Sequence, residues 1–158
     1  MAGTRNKNAG NIWELRCVKY IKPIFPNACS SRWANQRLDG KGVDICNEDG
    51  LKLPVNIQCK TLSSKPNYSE VLNHMPEGEF NVFFLKKTKK SEKGLFVREF
   101  EEVSMYYDTF IKYVHSNCGN SEIAISDLRN PMIPATTVIK LSVPNFINLL
   151  RNIYRTYE

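Results

Sequence analysis

Four polar side chains in the first 60 residues have types that can act together in chemistry. They are Glu14, Asp44, Gln58 and Lys60. Carboxylate and amide oxygens are ligands that hard divalent cations such as Mg²⁺ accept, with waters and substrate phosphate completing the shell. An ammonium group beside such a cation can position an attacking water and neutralise developing charge. The set therefore fits metal-assisted hydrolysis of a phosphodiester bond.

Strand periodicity is what would bring these side chains together. In the predicted strand 42–46 the apolar neighbours of Asp44 face the core and Asp44 faces away, because strand side chains alternate. In the next predicted strand Gln58 and Lys60 share one face. If the two strands pair antiparallel, Gln58 and Lys60 lie alongside Asp44, and Glu14 on the preceding helix can approach the same point.

The remaining pattern predicts an α/β chain without repeats or a linker. A helix over 11–22 precedes a meander of three strands, and Ser142 is predicted to cap the last helix. The predicted strands are 27–33, 42–46, 53–60, 80–88 and 94–100, with weaker ones at 121–126 and 136–142. The other predicted helices lie within 63–75 and over 101–117 and 143–157.

The segments that hold the four polar residues resemble a known superfamily. Glu14, the GVD segment with Asp44, and the IQCK segment with Gln58 and Lys60 resemble PD-(D/E)XK nucleases. The NIWELR helix, the Ser-Arg pair in CSSRW and the basic surface are most similar to archaeal-type and phage Holliday junction resolvases. The resemblance covers about residues 10–100. It implies a restriction-endonuclease-like αβββαβ core with a mixed central sheet flanked by helices, in a single domain 1–158 with 101–158 as an extension.

The resemblance also implies roles for the site residues. Asp44 would be the main ligand of Mg²⁺, for which Mn²⁺ can substitute, and Gln58 and the backbone carbonyl of Cys59 would complete the protein ligands. Lys60 would be the catalytic lysine and Glu14 the helix carboxylate. Gln58 stands where most members carry Glu, so this chain has one negative charge fewer there.

Charge favours a polyanionic partner, and the resemblance implies that it is DNA. The net charge is +6, and the first 60 residues hold ten basic and five acidic residues. Neutralising phosphates releases counterions, which favours binding of a basic protein, although a merely solvated surface has the same composition. The candidate DNA-binding residues are Arg16, Ser31, Arg32, Arg37 and, at a predicted hairpin tip, Lys86, Lys87, Lys89 and Lys90.

Several of these residues also have an ordinary structural interpretation. Glu14 follows Asn11 at the spacing of a capping box. Asp44 could be a salt-bridged side chain and Lys60 a solvated one, and Cys59 is predicted to lie in the core. The two histidines, His74 and His115, are predicted to be structural or exposed. The five cysteines have neither disulfide-framework nor zinc-site spacing. Without a signal core or a long apolar run, an intracellular location is expected, either cytoplasmic or nucleoid-associated, and the host cytoplasm if the protein is phage-encoded.

The expected function is a metal-dependent, structure-selective DNA endonuclease, most similar to a Holliday junction resolvase, that works as a homodimer. The dimer contact is predicted on the 143–157 helix and on Tyr106, Tyr107 and Phe110, unless both faces are intramolecular core. A sequence-specific restriction-like or repair endonuclease is an alternative. A catalytically inactive DNA-binding module and an unrelated α/β interaction protein are two others.

Overall fold

The computed structural model describes residues 2–117 and 124–154 and has the predicted α/β character. A four-stranded mixed sheet is flanked by helices, and a separate two-stranded ribbon precedes it. The elements in chain order are α1 (Ala2–Ile21), β1 (Ala28–Ser30), α2 (Ser31–Ala34), α3 (Gln36–Gly40), β2 (Ile45–Asn47), β3 (Asn56–Leu62), α4 (Tyr68–His74), β4 (Asn81–Lys90), β5 (Phe96–Tyr106), α5 (Tyr107–Asn117), α6 (Ile125–Leu128), β6 (Val138–Leu141) and α7 (Val143–Tyr154).

The main sheet has the order β3-β4-β5-β6. Strands β3 and β4 are parallel, and the other two pairs are antiparallel. Helix α4 connects the parallel strands, since parallel neighbours need a crossover. The predicted three-strand meander is wrong, because β2 pairs in sheet fashion with β1 and β3 pairs with β4.

Apolar side chains cover both faces of the main sheet. On one face α1 and α7 enclose the larger core, where the Trp13 indole N–H donates to the Phe84 carbonyl at 3.1 Å. On the other face α4 covers a smaller core that includes Phe83. Phe83 and Phe84 are adjacent in β4 and so point to opposite faces. The sheet is therefore a rigid middle layer, with the residues of β3 fixed between two packed surfaces.

Helix α7 confirms its predicted start. The Ser142 hydroxyl accepts from the Asn145 N–H at 3.2 Å, as an N-cap does. Phe146 and Leu150 are fully buried in the larger core, and Tyr107 of α5 is buried as well. The described part of the predicted dimer face is thus packed mainly against this chain's own core; the helix positions beyond 154 lie outside the described residues.

Three element boundaries differ from the sequence predictions. Helix α1 begins at Ala2 rather than at residue 11, and the strand predicted over 27–33 ends at Ser30, where α2 begins. The predicted helix 101–117 is strand up to Tyr106, because β5 pairs with β4 as far as Ser104 and with β6 from Val103 to Tyr106.

The weak strand at 121–126 lies partly outside the described residues, and its end belongs to α6. Strand β6 lies within the weaker strand predicted over 136–142, and α4 lies within 63–75 as expected. Strand β4 begins one residue after its predicted start and runs two residues further than predicted. Within the described residues, no helix is both long and apolar enough to cross a membrane.

Candidate functional site

Asp44 is fixed against the middle of β3 by two backbone hydrogen bonds. Its own N–H donates to the Ile57 carbonyl at 2.8 Å, and its carboxylate accepts from the Cys59 N–H at 2.7 Å. Val43 and Ile45 on either side are completely buried, as the sequence predicted, although β2 begins just after Asp44. The Asp44 carboxylate therefore lies at the peptide that joins Gln58 to Cys59.

Glu14 lies inside α1 and points toward the loop that follows the first strand. Only 7% of the residue is exposed. One carboxylate oxygen accepts from the Ser30 hydroxyl, and the other lies 3.5 Å from the Arg32 guanidinium. Because the helix begins at Ala2, Glu14 is not part of a capping box with Asn11, whose side chain instead accepts from Arg32.

The electrostatic environment of Asp44 connects three of the predicted residues. Burial raises the pKa of the Asp44 carboxyl to about 7, against the lowering effect of the Cys59 N–H bond. The Glu14 carboxylate raises this pKa further, and the Lys60 ammonium lowers it. The charges of Glu14 and Lys60 are thus close enough to affect Asp44. A cation beside Asp44 would favour the ionised carboxylate.

Gln58 lies on the face of β3 opposite the larger core, and only 7% of it is exposed. Its side-chain oxygen has no hydrogen-bond partner among the described residues. Gly42 passes close by with φ +79, and a Cβ there would lie 3.1 Å from this oxygen and 2.7 Å from His74 Nδ1. The amide and the imidazole therefore converge on Gly42.

An open groove of about 800 Å³ extends from Gln58 and Lys60 along α4. His74 at the end of α4 lines it, as do residues of the 64–67 loop. His74, predicted to be structural or exposed, is exposed, and it also lines this groove. No spacing in the sequence connects it to β3, because only the α4 crossover brings it there.

The donor atoms at Asp44 fit a hard divalent cation. They are the Asp44 carboxylate, the Gln58 side-chain oxygen, which has no hydrogen-bond partner among the described residues, and the Cys59 carbonyl of the same strand. All three are oxygen ligands of the kind that Mg²⁺ prefers. Among the described residues no group of three His, Cys, Asp or Glu side chains is arranged to hold a metal. A cation here would keep several waters, as protein-bound Mg²⁺ usually does.

The Ser-Arg segment adjoins the site, but only its arginine is accessible. Ser31 is completely buried, and its N–H donates to the Asp44 carbonyl at 2.8 Å, so its hydroxyl does not face solvent. Arg32 is half-buried beside Glu14, and Arg37 is exposed on α3. Arg16 contacts Tyr20 and Glu101 and lines a different groove, so it is separate from the Asp44 site.

The lysine-rich segment is part of β4 rather than a hairpin tip. Lys86 and Lys87 lie within the paired strand, and Lys89 and Lys90 are exposed at its end. Lys87 is engaged internally, donating to the Ser63 carbonyl at 2.8 Å and lying 3.3 Å from the Glu99 carboxylate. The turn begins after Lys90, because pairing with β5 continues to that residue, with one shift of register between Lys87 and Thr88.

Known proteins provide no further identification. Comparisons with protein-family models, with curated proteins and with solved structures found no match. The features that bear on function are therefore those of the chain itself: Asp44 bonded to the Cys59 peptide, Gln58 and Lys60 on the same strand, and Glu14 beside Arg32.

Proposed function

We propose that this chain is a Mg²⁺-dependent DNA endonuclease of the PD-(D/E)XK type that cleaves four-way junctions. The observation that carries the proposal is the bond from the Cys59 N–H to the Asp44 carboxylate, between Gln58 and Lys60 on β3. The crossover from β3 through α4 to the parallel strand β4 is compatible with the βαβ part of that core, whereas β1 and β2 pair in a separate ribbon. Four independently positioned polar residues in this arrangement are hard to explain as surface composition alone.

Each site residue has a role in this proposal. Asp44, Gln58 and the Cys59 carbonyl hold the cation, which supplies Lewis acidity at the scissile phosphate when bound. Lys60 positions the attacking water and offsets the negative charge that develops on the phosphate. Glu14, held by Ser30 and Arg32, sets the charge balance around Asp44.

DNA is the proposed substrate because of charge and geometry. The chain carries a net charge of +6, and its groove of about 800 Å³ is open to solvent beside Lys60. The Arg32 guanidinium adds positive charge beside the site, where its two terminal nitrogens contact Asn11 and Glu14. A homodimer would supply two equal sites related by two-fold symmetry, which suits paired incisions at a four-way junction.

Cleavage of labelled DNA tests the proposal directly. The purified protein is incubated with a four-way junction and a matched linear duplex, in Mg²⁺, Mn²⁺ or EDTA. We expect paired nicks in the junction alone, abolished by EDTA, by Asp44→Asn and by Lys60→Ala. Lys93→Ala, in the exposed turn after β4, is the matched lysine control and should cleave normally. Cleavage that persists in Asp44→Asn or Lys60→Ala would show that the Asp44 site is not the catalytic site.

A catalytically inactive DNA-binding module is the second candidate, and Gln58 is the observation that favours it. The amide replaces a negative charge that a metal site would use, and its oxygen has no partner. Gln58→Glu separates the two candidates. In an active nuclease with Gln58 as a ligand, the variant binds Mg²⁺ more tightly in calorimetry because the ligand gains charge. Junction binding without cleavage in wild type and variant alike would favour the binding module.

A further inference from the structure

The two tryptophans of the chain have opposite environments. Trp13 is 1% exposed in the larger core, whereas Trp33 on α2 is 86% exposed. Tryptophan is usually well buried, because its ring carries a large apolar surface. A side chain of this size left in solvent beside a proposed active site is therefore a candidate contact for a ligand with a flat apolar face.

Helix α2 holds Trp33 in a defined place next to the site. The residue two positions before it, Ser31, is bonded through its N–H to the Asp44 carbonyl at 2.8 Å. The residue directly before it, Arg32, contacts Glu14 at 3.5 Å. The residue two positions after it, Asn35, donates its side-chain N–H to the Gly50 carbonyl at 2.8 Å. The backbone that carries Trp33 is thus tied on both sides.

Basic residues lie on both sides of Trp33 in the sequence. Residues 32–41 contain Arg32, Arg37 and Lys41 against one carboxylate, Asp39. Arg37 and Lys41 are exposed. Basic residues that track a backbone, together with aromatic rings on which bases stack, are the combination that binds single-stranded nucleic acid.

We propose that Trp33 is a stacking platform for an unpaired DNA base next to the scissile phosphate. The inference rests on the proposed function and narrows its substrate class. Bases inside a fully paired duplex are already stacked on their neighbours, so an indole reaches a base face only where strands separate. The preferred substrates are therefore four-way junctions whose branch point is opened, and bubble DNA is a simple probe that presents the same unpaired bases, in contrast to continuous duplex.

Tryptophan fluorescence tests the inference without any cleavage. In EDTA, the protein is titrated with a duplex that contains an unpaired bubble and with the same duplex fully paired. We expect the bubble DNA to quench Trp33 emission and the paired DNA to leave it nearly unchanged. Trp13 is buried and should not respond, so Trp33→Phe should abolish the fluorescence change while it keeps most of the binding.

Binding measured by anisotropy of labelled DNA supplies the second readout. Trp33→Ala should weaken bubble binding roughly 5- to 150-fold, the range that loss of one stacked base produces, and leave duplex binding unchanged. Met132→Ala is the matched control, since Met132 is 84% exposed in a different part of the chain. Equal quenching by both DNAs, or unchanged bubble affinity in Trp33→Ala, would overturn the inference.

The outcomes separate this inference from the proposed nuclease activity. Junction cleavage that is unaffected by Trp33→Ala would support the nuclease activity and exclude the stacking site. Selective quenching by bubble DNA, without cleavage in any metal, would support the stacking site and exclude the nuclease activity. If Trp33 emission of the free protein is shielded from acrylamide in a concentration-dependent way, Trp33 is a contact between two copies of the chain and the stacking inference fails.

Discussion

Replacing Asp44 with Asn should make the protein more stable at alkaline pH, although it removes the central residue of the site. The folded chain holds the pKa of this carboxyl at about 7, against 3.8 for an ordinary Asp. A raised carboxyl pKa means that the folded state prefers the neutral form. Stability contributed by the neutral carboxyl is complete below the unfolded pKa and is lost as the pH rises through about 7.

The size of the effect follows from linkage. One pKa unit corresponds to about 1.4 kcal/mol, so the full difference of about 3 units amounts to about 4 kcal/mol. About 2–3 kcal/mol of this develops between roughly pH 5 and pH 8, because the unfolded carboxyl is already ionised at the start of that range. In Asp44→Asn, the neutral amide removes this pH dependence from the position.

Urea denaturation of wild type and Asp44→Asn at several pH values between these limits measures the difference. We expect the stability of wild type relative to the variant to fall by about 2–3 kcal/mol as the pH rises. Glu92→Gln, an exposed carboxylate in the turn after β4, should track wild type throughout. A wild type that gains stability relative to Asp44→Asn with rising pH would refute the burial of this carboxylate as the cause.

Magnesium extends the same experiment. A cation that binds the ionised Asp44 carboxylate stabilises only the folded state, by an amount that grows with its concentration. Near pH 8, where most Asp44 carboxyls are ionised, Mg²⁺ should raise the urea midpoint of wild type and leave that of Asp44→Asn unchanged. An equal rise in both proteins would show that Mg²⁺ binds elsewhere.

Two further substitutions test the packing around the site. Gly42→Ala should destabilise the chain by about 2 kcal/mol or more, because Gly42 has φ +79 and a Cβ there would lie 2.7 Å from His74 Nδ1. Urea denaturation checks this, and a shifted His74 imidazole signal in NMR locates the clash; a neutral effect would contradict the packing. Phe146→Ala, which removes a fully buried ring against Phe84, should cost about 3–5 kcal/mol in the same assay, and a loss under about 1 kcal/mol would contradict its place in the core.

The local pattern of β3 could be predicted from sequence, but its partner could not. Alternation placed Ile57 in the core and Gln58 on the opposite face, and both positions agree with the structure. Alternation says nothing about which strand lies alongside. The parallel pairing of β3 with β4 buries Val82 and Phe84 of β4 on the same side as Ile57. The stabilisation from this burial depends on residues more than 20 positions away from Ile57 in the sequence.

Helix α5 shows a different limit of sequence reasoning. Val103 fits the helical spacing of 101–117, and it also fits a strand in which it alternates with Ser104 and Met105. The strand continues to Tyr106 because pairing with β4 extends to Ser104 and pairing with β6 extends from Val103 to Tyr106, which gives its backbone groups partners. The periodicity of this segment is compatible with both a helix and a strand, and pairing with neighbouring strands determines that it forms a strand.

The residues that sequence reasoning missed share a cause. The α4 crossover places His74 near Gly42, which Gln58 also approaches, and the Ser31 N–H bond to the Asp44 carbonyl places the backbone of Trp33 near the site. Neither arrangement follows from spacing along the chain. The one available signal was Gly42, since a glycine directly before an apolar strand often marks a left-handed turn or a close approach, and here it marks both.

The free-energy costs around Asp44 favour function over structure. A carboxyl with a pKa of about 7 is an ion kept where it is unfavourable, and the Gln58 oxygen and the Ser31 hydroxyl beside it are buried without partners. Each unpaired buried polar group costs about 1–3 kcal/mol. An apolar residue at these positions would avoid that cost. Among the described residues, buried oxygens without partners also occur away from the site, at Ser104 and Tyr113, so the distinguishing feature here is that two of them lie near an ionisable carboxyl. A bound cation would stabilise the Asp44 charge and give the Gln58 oxygen a partner, which turns local instability into affinity for a ligand.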